Sequence, residues 1–169
     1  MTTDLREIFV TGLRNAHAME NQALSIMKPQ ISRIENYPEV KARLELHYRE
    51  TEGQIARIEE VLHGLSETSS TMKDTALSMT GSLASLGHSI AGDEIIKNSL
   101  ANFAFENYEI AAYRSLLTVA DHGGYQAAHS AIARNLEEEI NMANWLKDNL
   151  EKVTLEFLAL SEQGHTAKI

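Results

Sequence analysis

Hydrophobic residues recur every three or four positions along most of this chain, a spacing that predicts amphipathic helices rather than strands. The first helix is expected over about Asp4 to Asn36, with a kink at Pro29, because proline removes a helical hydrogen bond. A second helix is expected to begin near Pro38, a favourable first-turn residue. The apolar stripe of the first is Leu5, Phe9, Gly12, Ala16, Ala23, Met27, Ile31 and Ile34, and that of the second is Val40, Leu44, His47, Thr51, Ile55, Ile58, Leu62 and Leu65.

Residues 66–92 interrupt this pattern. They begin as a polar loop, continue as a short, weak helix over 72–86 and form a crossover long enough to span a bundle. A third helix is expected over 93–121, ending before Gly123-Gly124, and a fourth over 125–149. The seam of the fourth helix is Ile132, Leu136, Glu139, Ala143, Leu146 and Leu150. A separate tail helix is expected to follow to about Leu160.

Two helical hairpins joined by a long crossover predict an all-α, ferritin-like four-helix bundle. The chain has 169 residues, a length that suits one domain over residues 1–165, followed by a frayed tail at 166–169. The alternative on periodicity alone is an ordinary helical bundle without a functional site.

Composition narrows the function classes. The chain has no cysteine, which excludes disulfides, thiolate metal sites and cysteine nucleophiles. The net charge is −9 and there is no long basic cluster, so nucleic acid is not an expected partner, while metal cations are attracted. No apolar run reaches the roughly 18 residues of a membrane helix. We therefore expect a soluble, cytoplasmic protein without a membrane partner.

Glu106 and Glu109 are the only charged residues between Lys97 and Arg114. The stretch around them is apolar almost all round and has no Gly or Pro, which predicts a helix buried on most of its faces. Two carboxylates three residues apart lie on one face of that helix. Burial of unpaired carboxylates is strongly unfavourable. Because no Lys or Arg within the stretch can pair with them, a divalent or trivalent metal is the favoured counter-charge.

Helix register brings further donors to the same level. If the first hairpin turns near Tyr37, Glu20 and Glu50 lie within about 6 Å along the bundle axis, and a turn near Gly123 places Glu109 and Glu139 within about 3 Å. His47 lies in the seam of the second helix. Carboxylates with an imidazole are ligands suited to iron or manganese. The candidate metal ligands are Glu20, His47, Glu50, Glu106, Glu109 and Glu139. A core histidine with a hydrogen-bond partner is the alternative for His47.

The template of such bundles pairs Glu with His three residues later on two helices. Here Glu50 is followed at that spacing by Gly53, and Glu139 by Met142, so the site is rich in carboxylates and poor in nitrogen donors. The literal motif occurs at Glu60-x-x-His63, near a helix end, and at Glu162-x-x-His165, in the tail. Neither is expected to bind metal. His17 is a candidate for a supporting role, and Tyr48, Tyr108 and Tyr113 neighbour the carboxylates, where they could bond ligand oxygens or simply fill the core.

Five segments resemble the bacterial YciE/YciF-like proteins, YciE most of all, over nearly the whole chain: AHAMENQ at 16–22, IENYPE at 34–39, HYRET at 47–51, FENYEIA at 105–111 and LEEEINMANWL at 136–146. The resemblance implies a ferritin-like fold, a homodimer and a stress-associated protein. By analogy with ferritin-like sites, Glu50 and Glu139 would bridge two metal ions, and Glu20 with Glu109 or Glu106 would be terminal ligands.

Two functions remain in view. In the first, two iron ions, or another divalent metal such as manganese, serve iron handling or the scavenging of peroxide or dioxygen. In the second, the chain is a non-catalytic structural stress protein whose metal site is vestigial or empty. Whether the protein is an enzyme stays open at this point, and the missing Glu-x-x-His pairs weigh against oxygen activation.

Overall fold

A computed structural model describes residues 4–67 and 91–169 of the chain. Within these ranges it contains four helices: α1 (Leu5–Arg33), α2 (Pro38–Gly64), α3 (Glu94–Gly123) and α4 (Gln126–Glu162). The short helix expected over 72–86 lies outside the described residues. The four long helices predicted from the apolar periodicity are confirmed, and none of them carries an apolar stretch sufficient to cross a membrane.

Local sequence explains where the helices begin and end. The Asp4 side chain accepts a hydrogen bond from the backbone N–H of Arg6 at 3.1 Å and caps α1. Pro38 occupies the first turn of α2, where its missing N–H costs nothing. α3 ends because Gly124 adopts a left-handed backbone conformation, with φ of 74°. α1 continues through Pro29 as one helix.

Side-chain contacts define the directions of the helices. Arg6 near the start of α1 contacts Leu65, just beyond α2, while Arg33 at the end of α1 contacts Glu94 at the start of α3. The end of α2 and the start of α3 therefore lie at opposite ends of the bundle. The two antiparallel hairpins, α1 with α2 and α3 with α4, form a ferritin-like four-helix bundle, as the sequence predicts.

The four helices share one hydrophobic core. Its largest fully buried side chains include Phe9, Leu13, Met19, Leu44, Ile58, Tyr113, Ile132 and Met142. α1 and α3 approach closely at Gly12, where an added Cβ would lie 2.8 Å from Leu116 Cδ1. The bundle is thus packed tightly around the polar residues that lie halfway along its axis.

Two expectations for the C-terminal region are corrected. The predicted tail helix is not a separate element, because no Gly or Pro interrupts residues 126–162 and α4 runs through them. The last four residues are docked rather than frayed. Tyr37 donates a hydrogen bond to the Ala167 carbonyl at 2.6 Å, the Ile95 N–H donates to the Lys168 carbonyl at 2.8 Å, and Ile169 is 8% exposed.

Candidate metal centre

Four ligand groups from three helices converge in the middle of the bundle. His47 comes from α2, Glu106 and Glu109 from α3 and Glu139 from α4, and one donor atom of each lies within 4.8 Å of the others. His47 Nε2 lies 3.2 Å from Glu106 Oε2 and 3.4 Å from Glu139 Oε2. All four side chains are buried. The helical spacing that makes these residues seam positions is what turns them inward.

Glu20 adds a carboxylate from the remaining helix, α1. It is fully buried, and its Oε1 accepts a hydrogen bond from the Tyr113 hydroxyl at 2.5 Å. Its other oxygen has no hydrogen-bond partner among the described residues. Glu20 is also in electrostatic contact with Glu139 and His47. Each helix of the bundle therefore contributes at least one acidic or imidazole side chain to the centre.

Glu50 lies on the outer side of His47. Its Oε2 is 3.0 Å from His47 Nδ1 and accepts a hydrogen bond from Arg43, also at 3.0 Å. Its side chain is 24% exposed. A partner on Nδ1 fixes the orientation of the ring and directs Nε2 towards Glu106 and Glu139. In this geometry Glu50 supports the imidazole and does not share the converging set of donors.

The centre contains carboxylate oxygens that accept no hydrogen bond from the protein. Five buried carboxylate oxygens of this centre form no hydrogen bond within residues 4–67 and 91–169, although two of them, on Glu106 and Glu139, lie 3.2 and 3.4 Å from His47 Nε2. They are Glu20 Oε2, Glu106 Oε2, Glu109 Oε1, Glu109 Oε2 and Glu139 Oε2. Buried polar atoms are normally satisfied, and an orphaned set of this kind requires protons or a cation. The donors present therefore fit a metal ion that prefers oxygen ligands.

Electrostatics support the same interpretation. Burial, and to a lesser extent repulsion from Glu139, raises the pKa of Glu20 well above its usual value. The same two causes, in the same order, raise the pKa of Glu109. Burial raises the pKa of Glu106 to about 8, although His47 opposes the shift. Burial is the largest influence on Glu139 and would raise its pKa, but the hydrogen bond and attraction to His47, together with hydrogen bonds from Glu106 and Gln54, outweigh burial and lower the pKa.

The pKa of His47 is raised, although burial by itself would lower it. Desolvation alone would lower the pKa of its imidazole, but Glu106 and the hydrogen-bonded carboxylates around the ring raise it well above the usual value. Hydrogen bonding to His47 in turn lowers the pKa of Glu50 to about 2, with Arg43 acting in the same direction. Without a metal, the inner cluster thus holds protons where a cation would otherwise balance the carboxylates.

A polar network that sequence reasoning missed positions two of these carboxylates. Gln54 donates a hydrogen bond to Glu139 Oε1, and its backbone carbonyl accepts from Asn135 at 3.4 Å. Asn135 also donates to the Tyr113 hydroxyl at 2.9 Å and accepts from Arg57 at 2.6 Å. A signal was present in the sequence, because Gln54 follows His47 by seven residues and Asn135 precedes Glu139 by four, so both are polar residues at seam positions.

Apart from Tyr113, the remaining sequence candidates contact none of the converging donors in the part of the chain that the structure describes. His17 is 3.0 Å from Glu59 and 3.4 Å from Asn21. Tyr108 is 50% exposed and Tyr48 is partly buried against the core, whereas Tyr113 is fully buried. The two literal Glu-x-x-His motifs, at Glu60 and His63 and at Glu162 and His165, are exposed, as expected for residues without a role in the centre.

The fold and the centre together define a class: a ferritin-like helical bundle with a buried His/Glu cluster that could bind a metal ion. Within this class, the chain belongs to the family described as a domain of unknown function, DUF892, which it matches over residues 4–159. The family resemblance stated from the sequence, to YciE/YciF-like proteins, is confirmed.

Individual relatives agree with this assignment. The chain is 29% identical to protein YciF of Escherichia coli strain K12 over 143 residues, which cover 80% of this chain and 83% of that protein. A Xanthomonas campestris protein of known crystal structure is 34% identical, with a TM-score of 0.79 and coverage of 94% of this chain and 99% of that one.

Two further structures share the fold at lower identity. The Escherichia coli stress protein YciF has a TM-score of 0.68 at 23% identity, covering 88% of this chain and 96% of that one. YcfI from Rhodopseudomonas palustris has a TM-score of 0.69 at 22% identity, covering 87% of this chain and 97% of that one.

Proposed function

We propose that this protein binds iron in the middle of its bundle and uses it to remove peroxide or related oxidants during stress. The observation that carries the proposal is a set of buried carboxylate oxygens gathered around His47, of which Glu20 Oε2 and both oxygens of Glu109 have neither a hydrogen bond nor an ion pair among the described residues. A fully buried cluster of like charges destabilises a fold unless it serves to hold a cation.

The ligand set favours a hard metal. The donors are carboxylates with one imidazole, and there is no thiolate ligand because the chain lacks cysteine. Carboxylate and imidazole donors suit iron and manganese, and anionic oxygens stabilise the higher oxidation state. His47, Glu106, Glu109 and Glu139 would hold the first ion. Glu20 Oε2 would be available as a ligand atom for a second ion.

Glu50 has two roles in this proposal. As placed, it orients His47 and shares its carboxylate with Arg43. As the bridging ligand implied by the family resemblance, it would have to exchange these two contacts for a metal. Its carboxylate is partly exposed, whereas the four converging donors are buried. Glu50 therefore marks the side on which the centre is nearest to solvent.

When bound, ferrous iron would supply electrons for reducing peroxide to water. The protein residues keep the reaction contained. The buried walls exclude bulk water, His47 and Glu106 hold protons close to the donors, and Gln54 keeps Glu139 in position. Sequestration of iron among buried carboxylates would also limit its reaction with other cellular oxidants.

Metal binding is tested by elemental analysis of protein reconstituted with ferrous iron under anaerobic conditions. We expect one or two ions per chain in the parent. Glu109→Gln should reduce the content and weaken binding, because both Glu109 oxygens lack protein partners. Glu137→Gln is the matched control, since Glu137 is exposed on α4 and should bind as the parent does.

Thermal unfolding provides a second measurement. Free metal at about 100 times Kd should stabilise the parent by about 2.7 kcal/mol. For a chain of this size that corresponds to a rise in Tm of about 5–10 °C. A parent protein that takes up no iron and shows no rise in Tm would contradict the metal centre and would leave the structural function in its place.

The stress role rests on similarity to YciF, which is described as a stress protein. A homodimeric state of this protein, implied by the family resemblance, is also a prediction. Light scattering at micromolar concentration should give twice the chain mass of 18.8 kDa. A monomer would contradict the dimer without affecting the metal centre, because every proposed ligand comes from one chain.

A further inference from the structure

Tyr113 lies at the edge of the metal centre with its hydroxyl against a proposed ligand. The side chain is fully buried on α3, one turn beyond Glu109, and its hydroxyl is 2.5 Å from Glu20 Oε1. Burial and the nearby carboxylates of Glu20 and Glu139 raise the pKa of the phenol well above its usual value. The phenol therefore keeps its proton at the pH of a cell.

The direction of this hydrogen bond is set by a chain of donors behind it. Arg57 can only donate, and its Nε lies 2.6 Å from Asn135 Oδ1. This contact orients the amide so that Asn135 Nδ2 donates to the Tyr113 hydroxyl at 2.9 Å. A hydroxyl that accepts from Asn135 directs its own proton to Glu20. Tyr113 thus has a prepared proton acceptor.

Iron occupancy determines whether an extra electron is needed. The four converging donors, His47, Glu106, Glu109 and Glu139, describe the environment of a single ion. Reduction of hydrogen peroxide to water takes two electrons, whereas one ferrous ion becoming ferric gives one. A centre holding one ion therefore lacks one electron for each peroxide that it reduces.

We propose that Tyr113 is a redox-active residue that supplies the second electron when a single ferrous ion reduces peroxide, its phenolic proton passing to Glu20 Oε1. This inference rests on the proposed iron centre. The ferrous ion is oxidised to ferric, and Tyr113 is oxidised to the neutral phenoxyl radical. The O–O bond breaks as peroxide takes up two electrons and two protons, one proton relayed from Tyr113 through Glu20 and one from solvent, and two waters form.

The other tyrosines lack this combination. The chain has five, of which Tyr108 is half-exposed, Tyr37 donates to the backbone carbonyl of Ala167 and Tyr125 stacks on Phe9. Tyr48 packs at the margin of the core. Among the described contacts, only the Tyr113 hydroxyl donates to a carboxylate of the centre. A radical on Tyr113 would also be shielded from solvent.

The experiment uses the full chain, freed of metal and loaded anaerobically with one equivalent of ferrous iron. It is mixed with hydrogen peroxide, frozen within milliseconds and measured by electron paramagnetic resonance. We expect a tyrosyl radical signal in the parent, which narrows when the protein is made with ring-deuterated tyrosine. Tyr113→Phe should lose the signal, and Tyr108→Phe, the matched exposed control on α3, should keep it.

Peroxide stoichiometry gives an independent readout. The parent should consume one peroxide per ferrous ion, and Tyr113→Phe should consume half as much, because two ferrous ions must then supply both electrons. If Tyr113→Phe folds poorly, ring deuteration still shows that the radical is a tyrosyl, and a signal kept in Tyr37→Phe, Tyr48→Phe, Tyr108→Phe and Tyr125→Phe assigns it to Tyr113 by elimination, whereas loss of the signal in one of these variants would assign it elsewhere. Iron oxidation without a tyrosyl signal, or equal stoichiometry in parent and Tyr113→Phe, would overturn the role of Tyr113 while the iron centre stands. Failure of the parent to bind iron would overturn both.

Discussion

Replacing Glu106 by glutamine should change how the stability of the metal-free protein depends on pH. Glutamine has the same shape as a protonated glutamate but cannot ionise. Burial raises the pKa of Glu106 from 4.5 to about 8 in the folded protein. The folded state therefore binds this proton more tightly than the unfolded chain does. Its stabilising contribution is fully present below pH 4.5 and is lost as the pH rises to about 8.

The magnitude follows from the size of this interval. One proton held by the folded state alone gives a slope of about 1.4 kcal/mol per pH unit, so the whole interval corresponds to about 5 kcal/mol. His47 contributes in the same sense, because its pKa is also raised on folding and Glu106 is the largest cause of that rise. The two groups are tightly coupled, so the slope belongs to the pair.

Urea denaturation of chelator-treated protein between pH 5 and pH 8 is the assay, with the transition midpoint measured at constant m. Stability of the parent should fall with rising pH. The free energy of unfolding of Glu106→Gln should fall less steeply with pH than that of the parent, by at least about 1.4 kcal/mol per pH unit. Near pH 8 this variant should be the more stable protein. Some slope should remain, since Glu20 and Glu109 also have raised pKa values. Glu137→Gln, on the exposed face of α4, should follow the parent. Parallel profiles for the parent and Glu106→Gln would refute the reasoning.

Two further substitutions test the supports of the centre and of the C-terminal residues. Gln54→Ala removes the donor to buried Glu139 Oε1 and should destabilise the metal-free protein by about 1–3 kcal/mol, with weaker iron binding by calorimetry. Glu52→Ala, at an exposed position of the same helix, should change neither stability nor iron binding, and equal effects of the two substitutions would contradict the positioning role of Gln54. Tyr37→Phe removes the hydrogen bond to the Ala167 carbonyl and should lower the free energy of unfolding by about 1 kcal/mol. Amide hydrogen exchange in residues 166–169 should become faster; unchanged exchange would show that this bond does not hold the C-terminal residues.

The correspondence between sequence and structure is closest for the helices. Helical periodicity with few breaks sets α1 to α4, because each apolar stripe must be buried; Pro38 begins α2, Gly124 ends α3, and Pro29 does not break α1. Glu106 and Glu109 were found for the same reason, since two charges on an otherwise apolar helix have no exposed face to occupy. Glu20 and Glu139 were found by register between antiparallel helices.

Structure and sequence pattern differ where contacts distant along the chain decide the conformation. A short polar end predicts fraying, yet the backbone of residues 166–169 bonds to Asn36, Tyr37 and Ile95, more than 70 residues away along the chain. The predicted tail helix had no local breaker before it and is part of α4. The roles of Gln54 and Asn135 are not predictable from the sequence, because the function of a polar residue on the buried face of a helix depends on its partner on the facing helix.

By itself, the sequence determined the helical class, the order of the helices and the carboxylates that must be buried, because periodicity and the cost of burying charge are local properties of the chain. Only the tertiary structure decided which donors meet. The rotation of α2 about its axis turns His47 Nε2 inward and leaves Glu50 beside Arg43, and the packing of α1 against α3 places the Tyr113 hydroxyl on Glu20. Distances of 2.5–3.4 Å between helices depend on how side chains interlock across the core, and no spacing along a single helix contains that information.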